Sequence, residues 1–396
     1  MPAAPRSTRH TRREPVLVAN GQGFWGDSML GPVRLLREGP LHYLTLDYLA
    51  EVTMSIMQKL RARSPQGGYA TDFVRLIDRV LPDLVAKQVK IVANAGGVNP
   101  MACKDAVLEV IARHGIRGVR VAVVEGDDIL GRLDELMEKG ERFANMDTGA
   151  ALSTVRERVT SANVYLGSFP IAEALDEGAQ IVITGRATDP GLVVGPLVHE
   201  FGWGPGDLDQ LAAATVAGHI VECGPQCTGG NHTDWRRVPD MARIGYPIVE
   251  AWSDGRFAIT KHAGTGGFVD VSAVVHQLAY EMGDPSNYVT PDVCADFTSF
   301  SIQADGAERV RIEGVRGKPA TPTYKASISY QDGWKCWGEL TISGPEALEK
   351  AKLCAEIVWQ RLELDGLRYT PEEFDQLYAE RDRRPHRPSA IMSFAR

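Results

Sequence analysis

The sequence predicts an α/β fold: a mostly parallel sheet with flanking helices, doubly wound or barrel-like, plus a smaller α+β domain with antiparallel strands. Three observations predict it. Short β-branched runs recur, each ending in a loop of Gly, Asn or Asp. Each is followed by a stretch with helical periodicity, giving a βαβα alternation that implies parallel pairing through right-handed crossovers. From about Gly218 the pattern changes to hairpin signals and period-two alternation.

The first unit is Val16 to Ala19, the loop Asn20 to Asp27 and a helix near Met29 to Arg37. Tyr43 to Leu46 then meets Asp47-Tyr48-Leu49-Ala50-Glu51 and a helix reaching Arg63, followed by a helix over Thr71 to Ala86. The strand Lys90 to Ala93 runs into Asn94 to Pro100 and a helix to His114; the strand Val119 to Val124 ends at Glu125-Gly126-Asp127-Asp128. Asn163 to Leu166 reads as a further strand, Ile171 to Glu177 as a helix, and Gln180 to Ile183 as a strand entering Thr184 to Pro190. Beyond Gly218, Ile248 to Ser253 and Phe257 to Thr260 flank the turn dipeptide Asp254-Gly255, and Val269 to Glu281 is helical. Alternation from Phe297 to Ile342 around Asp305-Gly306 and Asp332-Gly333 suggests antiparallel strands, and Pro345 opens a closing helix to Leu364. The expected division is a disordered tail at 1–14, a parallel α/β domain at 15–217, an α+β domain completing the site at 218–365, and a charged tail or interface arm at 366–396.

Composition excludes several classes. With 44% hydrophobic and 24% charged residues the chain has ordinary globular usage, so disorder and disulfide-stapled scaffolds are excluded. A net charge of -8 argues against a nucleic-acid surface held by phosphate contacts, so no nucleic-acid partner is expected. The start lacks an apolar signal region, and no apolar run approaches the length needed to cross a bilayer, so a cytoplasmic protein with reduced thiols and no membrane partner is expected.

Ligands of parallel α/β sheets sit beyond the carboxyl ends of the strands, and each polar loop above follows such an end, so the loops converge on one crevice whether the sheet is open or closed. Asp27, Asp47, Glu51, Asp127, Asp128 and Asp189 recur in these loops. Converging carboxylates need either protonation, which makes a general acid/base, or a cation such as Mg²⁺, for which Asp127 and Asp128 are the candidate ligands. For each singly, helix capping is the alternative. Gly21, Gly23 and Gly26 form G-x-G-x-x-G, which reads as an anion cradle, a dinucleotide fingerprint or a structural turn. Arg186 is suited to clamp a carboxylate, and Lys261 with the amides of Gly266 and Gly267 to bind an anion. Asn94, Asn99 and Asn231 are further binding candidates. Cys223 with His232 as base is an allowed nucleophile, while Cys223, Cys227 and His232 lack zinc-site spacing. His219, within an apolar run, reads as a buried structural histidine.

Taken together, Asn20 to Asp27, Asp47 to Glu51, Lys90 to Pro100, Val124 to Asp128, Ile183 to Asp189, Glu222 to Asn231 and Thr260 to Gly267 resemble the acyclic terpene utilisation AtuA family, in order from Pro15 to Leu364. Cys227 departs from the small residue expected there. The resemblance implies bacterial catabolism of citronellol- and geraniol-type monoterpenes through CoA thioesters, with coenzyme A as part of the substrate. A separate small partner polypeptide and a homo-oligomer are expected. The expected chemistry is a hydro-lyase or isomerase step on an anionic acid or acyl-CoA. The rivals are a non-catalytic acyl-CoA-binding or partner-binding subunit of an assembly and a nicotinamide-dependent oxidoreductase.

Overall fold

A computed structural model describes residues 15–333, 338–366 and 389–394. The predicted tail at 1–14 lies outside the described residues, as does most of the predicted arm beyond 366. Residues up to Tyr330 form one compact unit and residues from Gln331 a second.

In the first unit the elements follow in the order β1 (Val16–Asn20), α1 (Leu30–Glu38), β2 (Tyr43–Leu46), α2 (Glu51–Arg63), α3 (Thr71–Lys87), β3 (Lys90–Ala93), α4 (Pro100–Arg113), β4 (Val121–Val124), α5 (Leu133–Glu138), β5 (Val159–Val164), α6 (Phe169–Asp176), β6 (Ile181–Thr184), α7 (Gly191–Phe201) and α8 (Leu208–Val221). Then come β7 (Pro247–Ala251), β8 (Phe257–Lys261), α9 (Val271–Leu278), β9 (Tyr288–Val289), β10 (Cys294–Asp296), β11 (Ser301–Ala304), β12 (Arg309–Glu313), β13 (Arg316–Lys318) and β14 (Ala326–Tyr330). Nine strands make one open sheet in the order β11-β12-β8-β7-β1-β2-β3-β6-β4, so the barrel alternative is not formed. Strands β1, β2, β3, β6 and β4 pair in parallel, and β7, β8, β12 and β11 extend the sheet antiparallel from β1. The predicted division at 217/218 falls inside α8, and strands from beyond it continue the sheet of β1.

The chain path explains the layers. From β1 to β4 each step moves one way across the sheet, so right-handed crossovers put α1 to α4 on one face. From β4 the chain steps back to β6, reversing the direction, and α6 to α8 cover the other face. Side chains alternate accordingly. Leu44, Leu46, Ile91, Ala93, Ile181 and Ile183 pack with Leu36, Met57, Leu76 and Val107. Tyr43, Val92 and Val182 pack with Ile171, Leu197, Val216 and Ile220. With both faces covered, these strands are continuous apolar runs. Helix α8 is buried along nearly its whole length because the sheet at β7 lies on one side and α9 with the three-stranded sheet β13-β10-β9 on the other.

Two expectations are corrected. Strand β5 does not join the parallel sheet but pairs antiparallel with β14. Its sequence, VTSANV, carries too many polar residues for a strand covered on both faces. The run from Phe297 does give antiparallel strands, but only Asp305-Gly306 closes a hairpin between consecutive members; β14 and the strand after Asp332-Gly333 pair elsewhere.

The second unit contains β15 (Gly338–Ser343), α10 (Ala347–Leu364) and β16 (Ser389–Phe394). The two strands pair antiparallel, and α10 buries the stripe Ala347, Ala351 and Ala355. Among the described residues no helix is long and apolar enough to cross a membrane.

Gly218 on α8 meets the start of α7 so closely that a Cβ there would lie 2.7 Å from Pro190 Cα. Gly218→Ala should therefore lower stability in urea unfolding by roughly 1–3 kcal/mol. Gly206→Ala, where a Cβ meets nothing within 4 Å, should stay within about 0.5 kcal/mol of wild type.

Candidate active site

The loops after β2, β3, β6 and β4 meet at the carboxyl end of the parallel strands. Asp47 follows β2 and is buried; its Oδ1 accepts from Asn94 Nδ2 at 2.7 Å and from the Leu49 amide at 3.1 Å. Asn94, just after β3, also accepts from the Tyr48 amide at 2.6 Å, so one carboxamide ties the two loops together and fixes the Asp47 side chain.

Arg186, two residues beyond β6, is among the largest fully buried side chains. Its Nη1 donates to Leu49 O at 2.9 Å and to Asp189 Oδ1 at 2.7 Å, and its guanidinium carbon lies 4.3 Å from the centroid of the Tyr165 ring. Its Nε has no hydrogen-bond partner. Behind it, Asp127 at the end of β4 accepts from the Arg186 amide at 2.9 Å and from Asn163 Nδ2 at 2.8 Å. Gly185 is required here: a Cβ would lie 2.2 Å from Asp127 Oδ1. At the rim Tyr165 donates its hydroxyl to Glu51, and Lys325 Nζ lies 3.5 Å from the same carboxylate. Leu49, Glu51, Tyr165, Arg186, Asp189 and Lys325 help line a cavity of about 310 Å³.

The electrostatics separate these groups. Burial lifts Asp47 well above the usual carboxylate range and the Asp189 charge adds to this, while Arg186 and Asn94 pull it back. Burial also lifts Asp127, against its two hydrogen bonds. Burial by itself would loosen the Arg186 proton, yet its neighbours, Asp189 foremost, hold it more firmly than usual. Burial opposes ionisation of Glu51, but the Tyr165 hydroxyl, its backbone contact and the cations Arg186 and Lys325 outweigh this and bring it to about 2. Tyr165 is pushed up to about 12, chiefly by burial. The site thus sets a carboxyl that holds its proton more firmly than usual, a buried cation and an ionised rim carboxylate close together.

Asp47, Glu51, Asn94, Arg186 and Asp189 are therefore brought together, with Asp127 supporting them. The other candidates lie elsewhere or are engaged locally. Asp27 accepts from the amides of Gly23 at 3.1 Å and Ser28 at 2.6 Å. The Gly21 amide donates to Thr45 O at 2.9 Å, so two amides of the glycine loop already have acceptors within the protein. Asn99 donates to Pro65 O and Gly67 O, and Asn231 is exposed. Lys261 donates to Thr265 O at 3.0 Å and faces Glu308 at 3.5 Å, while the amides of Gly266 and Gly267 donate to Arg243 O and Pro239 O. Asp128 accepts from the Leu130 amide and faces Arg61. Among the described residues no three His, Cys, Asp or Glu side chains group as a metal site. Burial pushes the Cys223 thiol up, and both ring nitrogens of His232 are engaged, by Ser272 Oγ and the Asp234 amide. A larger cavity of about 480 Å³ opens at the opposite, amino-terminal end of the strands beside His42, Lys90 and His199, away from these carboxylates.

A family model described as acyclic terpene utilisation family protein AtuA matches residues 16–392. The chain belongs to the AtuA family. No curated protein and no solved structure matches it. The match to the AtuA model includes every loop of this site, and the family's description points to acyclic terpene utilisation.

Tyr165, Lys325, His219 and Glu222 were not singled out as site residues from sequence. For the last two a signal existed: a His and a Glu three residues apart at the end of an otherwise apolar helix. Tyr165 directly follows β5 and Lys325 directly precedes β14, strands whose pairing no local pattern revealed.

Arg186→Met should cost about 3 kcal/mol in chemical unfolding, the lower end for a broken buried pair because Asp189 keeps some solvent contact. Glu51 titrates low in the folded protein, so its contribution is complete above about pH 4.5 and is lost as pH falls towards 2. The Tm gap between wild type and Tyr165→Phe should accordingly be full at pH 5 and narrow towards pH 2; a constant gap would show that this hydroxyl does not hold Glu51.

Proposed function

We propose that this AtuA-family chain is an acid–base enzyme of acyclic terpene or related branched-acid catabolism. Its substrate is an anionic acid or the acyl part of a CoA thioester, and the step is of the hydro-lyase or isomerase type. The observation that carries the reading is Asp47: a buried carboxyl, raised by that burial and fixed by Asn94, whose neighbour in the site is a buried arginine that lines a cavity.

Arg186 holds the carbonyl or carboxylate oxygen and stabilises the charge that develops there. In the dehydrating direction a carboxylate takes the proton on the carbon next to the carbonyl. The C–H electron pair becomes the new double bond, and Asp47 gives its proton to the departing hydroxyl, which leaves as water. Asp189, ion-paired to Arg186 on the cavity wall, is the accepting carboxylate. A cavity of about 310 Å³ suits a small branched acyl group, with the nucleotide of a thioester remaining outside and Lys325 at the rim for its charge.

The test pairs binding with turnover. Free branched acids and their CoA thioesters are screened by thermal shift, where a ligand at about a hundred times its Kd adds roughly 2.7 kcal/mol. For ligands that bind, exchange of the α-hydrogen with solvent deuterium is followed by mass spectrometry. Asp47→Asn should keep most of the thermal shift and lose about 10²–10⁴-fold in turnover. Full turnover in Asp47→Asn would remove it from the mechanism, and no ligand shift on folded protein would favour the partner-binding subunit.

A further inference from the structure

Beneath the cavity lies a second set of buried polar groups that the step above does not use. His219 and Glu222 stand three residues apart at the end of α8, with His219 Nδ1 3.2 Å from Glu222 Oε1. The imidazole is held edge-on between Tyr288 and Phe297, with ring centroids 5.4 Å away in each case. Glu222 Oε2 is buried without a hydrogen-bond partner among the described residues. Buried polar atoms are rarely left so, and groups retained in this state point to a use.

Charges face Glu222 from each surrounding element. His219 lies on α8, Asp189 on the loop after β6 and Glu281 beyond α9. Glu222 in turn acts on Asp47, Cys223 and Tyr288. Burial is the largest influence on Glu222 and lifts it to about 7. For His219 burial opposes the charged ring, but the neighbouring carboxylate outweighs it and raises the imidazole.

We propose that Glu222 and His219 form a proton-holding pair whose charge sets the protonation of Asp47. Both are positioning residues acting through Asp47. When the pair loses its proton, the net negative charge beneath the site holds the Asp47 proton in place. The proposal deepens the acid–base reading and rests on it for its use, while its test needs no substrate.

The test is carboxyl NMR titration of the full chain, labelled with ¹³C at Asp and Glu side chains, from pH 4 to 9. Wild type should show one Glu titrating near neutral pH, present in Asp47→Asn and absent in Glu222→Gln. Glu222→Gln should also move the Asp47 midpoint down, because a nearby negative charge is gone. His219→Phe, which keeps a ring between Tyr288 and Phe297, should move the Glu222 midpoint up and is the variant to read if Glu222→Gln does not fold. A Glu222 midpoint in the ordinary range, or an Asp47 midpoint unmoved by both variants, overturns the pair. A negative ligand screen with these shifts present would count against the proposed reaction and leave the pair standing; the converse would leave the reaction and remove the pair.

Discussion

Much of the site's arrangement depends on one buried cation. A guanidinium removed from water needs compensation from every side, and Arg186 finds it in Asp189, the Leu49 carbonyl and the Tyr165 ring face. Those partners come from beyond the ends of β6 and β2 and from the residue after β5, a strand outside the main sheet, so satisfying one side chain fixes three segments. Asp127 completes the frame by holding the Arg186 amide, and Gly185 is the residue that lets it come close enough. The same burial that makes Arg186 demanding also raises the Asp47 carboxyl. A compensated cation and a raised acid are two consequences of one dry environment.

The topology makes that environment. Because the chain reverses direction between β4 and β6, helices cover both faces of the sheet, and the carboxyl ends of β2, β3 and β6 open beside each other. This is where an open α/β sheet places its ligands. Helix α8 then brings His219 and Glu222 under the same point, which Gly218 permits by letting the helix sit against Pro190.

Much of this could be read in the sequence, and what could not has a physical cause. Strand β3 was legible to the residue because a strand buried on both faces is a short apolar run bounded by polar loops. Asp47, Asn94 and Arg186 were legible because strand-end loops in such a sheet share one edge. Strand β5 misled because polarity, not propensity, decides whether a strand can be central, and its partner β14 lies far along the chain. Lys261, Gly266 and Gly267 looked like an anion pocket, but their donors are spent on loop carbonyls, a fact of tertiary geometry. Glu222 was hidden by its position at the end of an apolar helix, where its neighbours in space come from other loops.

The most direct measurement is a crystal structure of the protein with the acid or thioester that stabilises it most. A carboxylate or carbonyl oxygen within about 3 Å of the Arg186 guanidinium, with the reacting carbons facing Asp47, is the predicted result. A ligand seated instead in the cavity at the amino ends of the strands, beside Lys90 and His199, would contradict the placement of the chemistry at Arg186 and Asp47.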